Sequence, residues 1–229
     1  MVNDKTALII FSRNPRVEAG YKSIFNGDAT SNLKMWDYLY NKTLRIAHET
    51  KLPLIICDEN AQKGESFGEK ISYALFSAFG DGYNNLIVIG GDCPNLSKAM
   101  LLKANRQING QHEVVLGPDT RGGIYLFAIN KSVFDKTAFT NFGWQTRQLC
   151  KQFKQYTSVF SVVTLSRLAD INTKENVITS LFTFLSSNSW RTLLSQIIIT
   201  NNALYNSSIN LYESLCLNSN KPLRAPPLF

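Results

Sequence analysis

Asp92 follows four consecutive branched apolar residues, Leu86-Ile87-Val88-Ile89, with only Gly90 and Gly91 between. A carboxylate at such a place can hold a divalent cation on a phosphate, or it can brace a turn. The motif Ala169-Asp170-Ile171-Asn172-Thr173 offers a second acid. Asp170 either supports the helix that follows through its N-terminal dipole or faces Asp92 as a second metal ligand. Asp119 closes Glu113-Val114-Val115-Leu116-Gly117-Pro118-Asp119, and Arg13, Arg16 and Lys22 fall within eleven residues, Ser12 to Lys22, where cations can meet a pyrophosphate. That segment is not a P-loop, because the Gly-Lys-Ser/Thr ending is absent.

Those groups do chemistry only if strands and helices bring them together. Leu86 to Ile89 is too short for a buried helix and reads as a central strand covered on both faces. Ala7 to Phe11 and Leu54 to Cys57 read as two more buried strands, with an amphipathic helix over Asp28 to Thr50, capped by Thr30 or Ser31, between them. This β-α-β order implies a right-handed parallel crossover. Asp92 then lies at the carboxyl end of a strand, where open α/β sheets place their ligands. Ser12 to Lys22 reads as a loop. Gln62 to Lys70 runs into a helix through Ile71, Ala74, Leu75, Ala78 and Phe79; its glycines allow close approach of a ligand, or the segment is an ordinary loop capped by Ser66 or Glu65.

Ser97 caps a helix carrying Met100, Leu101, Ala104 and Ile108, and Gly122-Gly123 opens a strand over Ile124 to Ile129 that suits a mixed sheet. Ser132 to Phe139 reads as a short helix, Phe142 to Tyr156 as another, and Val159 to Leu165 as the last strand. From Thr173 the pattern is helical. Residues 181–229 read as a helical C-terminal extension and, from Lys221, an extended tail, expected to pack on the first 180 residues or on a second subunit.

The chain has 229 residues, 44% hydrophobic, which suffices for one α/β domain. A net charge of +7 favours anionic ligands, but the basic residues are scattered, which argues against nucleic acid. Cys57, Cys93, Cys150 and Cys216 form no Cys-x-x-Cys pair and read as reduced thiols of a cytoplasmic protein. The start has no signal-peptide pattern, and no apolar run is long enough to span a membrane.

In order along the chain, Phe11-Ser12-Arg13, Gln62 with Gly68-Glu69-Lys70, Gly91-Asp92-Cys93-Pro94, Val115-Leu116-Gly117-Pro118, Gly122-Gly123-Ile124-Tyr125-Leu126, Trp144-Gln145-Thr146 and Asp170-Ile171-Asn172-Thr173 resemble a family of glycosyltransferase-like proteins. These are transferases associated with radical-SAM or selenium-related domains and linked to arsenosugar biosynthesis. The resemblance implies a GT-A (Rossmann-like) three-layer sandwich with a mostly parallel sheet, binding a nucleoside diphosphate sugar and Mg²⁺ or Mn²⁺. It implies Asp92 and Asp170 as metal ligands, with Asp92, Lys22 and Asp119 in the catalytic set. Phe11, Ser12, Arg13, Gln62, Gly68, Lys70 and Gly91 would contact the nucleotide, and Arg121, Gly122, Gly123 and Trp144 the sugar or a small-molecule acceptor. The sequence departs from the family pattern where Val17-Glu18 and Ser23-Ile24 replace part of the first loop, and where Arg121 stands in place of an aspartate. Those departures motivate an alternative: a nucleotide-binding or homodimeric protein on the same fold without turnover.

Overall fold

The computed structural model describes residues 5–182 and 188–200. Six strands form one sheet in the order β2-β1-β3-β5-β4-β6: β1 (Thr6–Phe11), β2 (Leu54–Cys57), β3 (Asn85–Ile89), β4 (Val114–Pro118), β5 (Ile124–Asn130) and β6 (Val162–Thr164). Five run the same way and β5 alone is reversed, pairing antiparallel with β3 and β4. The sheet is therefore mixed, and its carboxyl edge gathers the exits of five strands and the entry of β5.

The helices are α1 (Pro15–Tyr21), α2 (Ala29–Glu49), α3 (Phe67–Gly80), α4 (Lys98–Ile108), α5 (Lys136–Asn141), α6 (Leu149–Tyr156), α7 (Lys174–Phe182) and α8 (Asn188–Thr200). Alternation along the strands sorts the core into two layers. Ala7, Ile9, Leu86, Val88, Val114 and Phe127 pack under α3, α5 and α6. Leu8, Ile10, Ile87, Ile89, Val115 and Ala128 face α2 and α4. Both faces are thus covered, which is why the strand sequences show apolar runs rather than alternation. A third cluster joins Met35, Trp36 and Leu39 of α2 to Ile171, Val177 and, on α8, Trp190, Leu194 and Ile197. Of the expected helical extension and tail, residues 183–187 and 201–229, Cys216 among them, lie outside the described residues. No described helix is long and apolar enough to cross a membrane.

Four local expectations are corrected. Ser12 to Lys22 is not all loop: Asn14 accepts from the Arg16 and Val17 N–H groups, Pro15 sits at the first helical position, and α1 forms. The cap of α2 is Asp28, whose carboxylate accepts from the Ser31 N–H and hydroxyl; Thr30 and Ser31 lie inside the helix. The helix expected from Phe142 begins only at Leu149, because Gln145 has φ 63°, a left-handed conformation that a right-handed helix cannot continue through. The last strand spans Val162–Thr164 alone, since Val159 ends a 3₁₀ turn and is exposed.

At the amino edge an amide network centred on the buried Asn85 ties the sheet together. Asn85 donates to Asn109 Oδ1 at 3.1 Å and accepts from Asn130 at 3.0 Å, and Asn109 bonds Thr6. The polar groups at that end are engaged with one another. The opposite edge holds the open cavity.

Candidate functional site

Loops at the carboxyl edge enclose a cavity of about 640 Å³. Phe11, Ser12 and Arg13 reach it from β1, Lys22 from the end of α1, Gln62 from the β2 exit, and Lys70 from α3. Gly91 and Asp92 follow β3, Asp119, Arg121 and Gly123 lie between β4 and β5, and Trp144 precedes α6. Asp170 enters after β6. The two acids separated by 78 residues therefore share one cavity, and the Ile171 N–H donates to the Asp92 carbonyl at 2.9 Å.

Two expected residues are not among the lining. Gly68 is buried in the α3–α5 contact, where an added Cβ would lie 2.0 Å from the Thr140 carbonyl oxygen. The segment before it is a capped helix start: Ser66 and Glu69 form a reciprocal capping box. Gly122 lies behind the wall with φ 96°, and a Cβ there would meet the Arg147 carbonyl at 2.2 Å. Gly91, by contrast, is needed at the floor. A Cβ on it would stand 2.6 Å from Ser12 Oγ, so the glycine lets the β1 and β3 exits touch.

Helix α1 presents the first cation. Lys22 Nζ lies 2.7 Å from Asp92 Oδ2 and 3.3 Å from Glu18 Oε1, while Arg13 pairs with the same Glu18 at 3.1 Å. Trp36 of α2 donates to the Lys22 carbonyl at 3.0 Å and lies near its ammonium, 5.5 Å from Nζ to ring centre. Burial by itself lowers the Lys22 pKa, but Asp92 and Glu18 together outweigh it and leave the ammonium held above its ordinary value. Glu18 and Trp36 were not anticipated. The (i, i+4) spacing of Glu18 and Lys22 was the available signal, hidden because the segment read as loop.

Asp170 is held quite differently. Burial first, then the charges of Asp92 and Asp119, push its carboxyl well above the usual range, against Lys22 and the Cys93 thiol, which favour the anion. Its Oδ1 is buried with no hydrogen-bond partner. Nor is it the cap of α7: Thr173 Oγ1 accepts the Asn176 N–H at 3.3 Å. Asp119 has a bracing part, its Oδ1 accepting the Arg121 and Gly123 N–H groups at 2.6 and 2.7 Å. Beneath the Asp92 turn, Lys42 of α2 donates to the Pro94 carbonyl and, at 2.8 Å, to that of Leu96. Burial pulls the Lys42 pKa down to about 8.

Among the described residues no three His, Cys, Asp or Glu side chains are arranged to hold a metal ion. The donor types that are present suit a hard cation: two carboxylates, one with an orphaned buried oxygen, beside space for a ligand. Mg²⁺ commonly takes one or two carboxylates and completes its shell with water and substrate phosphates.

Residues 47–146 match the family described as "Uncharacterized protein conserved in bacteria (DUF2064)". The "putative nucleotide-diphospho-sugar transferase" from Desulfovibrio desulfuricans G20 superposes with a TM-score of 0.72 at 19% identity, covering 90% of this chain and 98% of that one. The fold is GT-A-like. A cytidylyltransferase from Leptospira borgpetersenii serovar Hardjo-bovis covers 87% of this chain and 96% of its own at 16% identity, with a TM-score of 0.44 that is too loose to argue from. No curated protein matches.

Proposed function

We propose that the chain is a metal-dependent transferase that moves a glycosyl group from a nucleoside-diphosphate-sugar donor to a small-molecule acceptor, with nucleotidyl transfer as the closest variant. The observation that carries this reading is the meeting of Asp92 and Asp170 in one cavity with Lys22 and Arg13 beside them. The ordered motifs that resemble the radical-SAM-associated transferases favour glycosyl transfer.

Lys22 and Arg13 bind the diphosphate. Their ion pairs with Glu18 and Asp92 hold them in place beforehand, so fewer rotamers are lost when the donor arrives. Phe67 and Trp144, tilted on each other with ring centres 5.6 Å apart, exclude water from one wall. Gln62 is oriented by its bond to the Cys57 carbonyl at 3.0 Å and presents its remaining amide groups to a base. Asp92 and Asp170 would hold Mg²⁺ or Mn²⁺, which supplies charge neutralisation of the leaving diphosphate when bound. Asp119 fixes the turn that carries Arg121. The buried free thiols Cys57, Cys93 and Cys150 support a reducing, cytoplasmic setting.

Thermal unfolding with a panel of uridine, guanosine, cytidine and adenosine diphosphates, with and without Mn²⁺ or Mg²⁺, tests the proposal. One nucleotide should raise the melting temperature only with the metal, and Asp92→Asn should abolish that shift without unfolding the protein. A shift that ignores the metal and survives Asp92→Asn favours the alternative, a nucleotide-binding protein without turnover. No shift with any nucleotide removes both readings.

A further inference from the structure

The cations of the cavity fall into two sets on different halves of the sheet. Arg13, Lys22 and Lys70 belong to β1, α1 and α3, on the half containing β2, β1 and β3. Arg121 and Arg147 belong to the β4–β5 turn and to the connection before α6, on the half containing β5 and β4. A nucleoside diphosphate needs only the first set. The second lies beyond Asp92 from it in strand order, between Asp92 after β3 and Asp170 after β6.

The backbones carrying these two arginines are locked against each other. Asp119 fixes the N–H groups of Arg121 and Gly123, the Gly122 carbonyl accepts the Cys150 N–H at 2.9 Å, and Gly122 packs against the Arg147 carbonyl. In the same wall Gln145 is held at φ 63°, a conformation that costs a non-glycine residue energy and is concentrated at ligand-holding loops. Among the described residues neither guanidinium has an acidic partner. Arg121 Nη1 makes only a 3.4 Å contact with Asn176 Oδ1, and the adjacent acid, Asp119, is engaged with backbone. Both arginines line the same cavity, and the planar fork of arginine matches an oxyanion.

We infer that Arg121 and Arg147 receive an oxyanion of the acceptor, a phosphate ester or a carboxylate, so that the second substrate is anionic. The acceptor role rests on the transferase reading above. The oxyanion site rests on the two arginines alone. The inference accounts for a cation at position 121, since an aspartate there would repel such a substrate.

Calorimetric titration of the full chain with glycerol 3-phosphate, glycerate and glycerol separates the sources by matched probes. One anion should bind, glycerol should not, and the tighter anion names the source. Arg121→Gln with Arg147→Gln should weaken that binding about tenfold or more, as expected for charge-assisted hydrogen bonds, and leave the melting temperature unchanged because both side chains are exposed. Affinity for the nucleoside diphosphate that passes the metal test should change less than about threefold, and the anion should still bind with that nucleotide saturating. Equal anion affinity in the double variant overturns the inference, as do competition between anion and nucleotide and failure of both anions to bind the native chain. If no nucleotide binds but the arginine-dependent anion does, the transferase reading falls and the oxyanion site stands.

Discussion

Gly68→Ala distinguishes a residue that packs from one that faces a nucleotide. The added methyl carbon would sit 2.0 Å from the Thr140 carbonyl oxygen, 2.9 Å from its carbon and 3.2 Å from Trp144 Cδ1, whereas ordinary contact begins near 3.4 Å. Relief requires α5 to retreat by the difference, 1.4 Å, and α5 is pinned by the bond from Thr140 Oγ1 to Ser72 at 3.1 Å. Overpacking of this kind costs about 1–3 kcal/mol, and the clash with rigid backbone argues for the upper part of that range. Alanine returns up to about 1 kcal/mol through its better helix propensity, leaving a net loss of about 1–2 kcal/mol. At about 2–4 °C per kcal/mol for a chain of this size, the melting temperature should fall by about 2–8 °C. Gly80→Ala, at the end of the same helix with nothing within 4 Å of the new carbon, should cause no fall. Differential scanning calorimetry of both variants, with a nucleotide titration well below the transition, reads the result. A Gly68→Ala protein that melts with the native one but no longer responds to nucleotide would refute the packing assignment and restore the base-facing one.

Three further outcomes follow from the same geometry. Asp170 has its folded-state pKa raised above its ordinary value of 3.8, so the folded state retains a proton that the unfolded chain has lost, and stability falls as pH rises from about 4 toward the folded pKa. Asp170→Asn should therefore be more stable than the native chain at pH 7 and equal to it near pH 3, while losing any metal response; denaturant titrations across pH decide this, and a variant less stable at pH 7 contradicts it. Lys22→Met should weaken a nucleoside diphosphate about tenfold and leave the nucleoside unaffected, because only phosphates meet the ammonium. Equal losses for both ligands would place Lys22 elsewhere in the binding mode. Asn85→Ala removes the fully buried centre of the amide network, while the more exposed Asn109 and Asn130 keep other partners, and should cost about 1 kcal/mol, seen as a lower urea midpoint at unchanged slope.

The apolar runs Ala7 to Phe11 and Leu86 to Ile89 were legible as strands because burial on both faces leaves a local record in residue type; Leu54 to Cys57 is a strand as expected but not a buried one, since β2 is the sheet edge and Ile56 is exposed. Ser97 was legible as a cap for the same reason, since its hydroxyl meets an N–H three residues on. The segment Ser12 to Lys22 was misjudged because a seven-residue helix with no buried side chain carries no apolar periodicity; its marks are the Asn14 cap, Pro15 and the Glu18–Lys22 spacing. Gly68 was ambiguous because a glycine needed for helix–helix approach and one needed for ligand approach look alike along the chain.

By itself the sequence determined the α/β order, the apolar strands and the placing of Asp92, Asp119 and Asp170 near strand exits, all of which are set by interactions within a few residues. The tertiary structure decided that Asp92 and Asp170 share a cavity, that Asp119 braces a turn, that Glu18 and Trp36 hold Lys22, and that Arg147 stands beside the Arg121 turn. Those are distances through space between residues far apart in the chain. They depend on the strand order β2-β1-β3-β5-β4-β6 and on the reversal of β5, which no local pattern encodes.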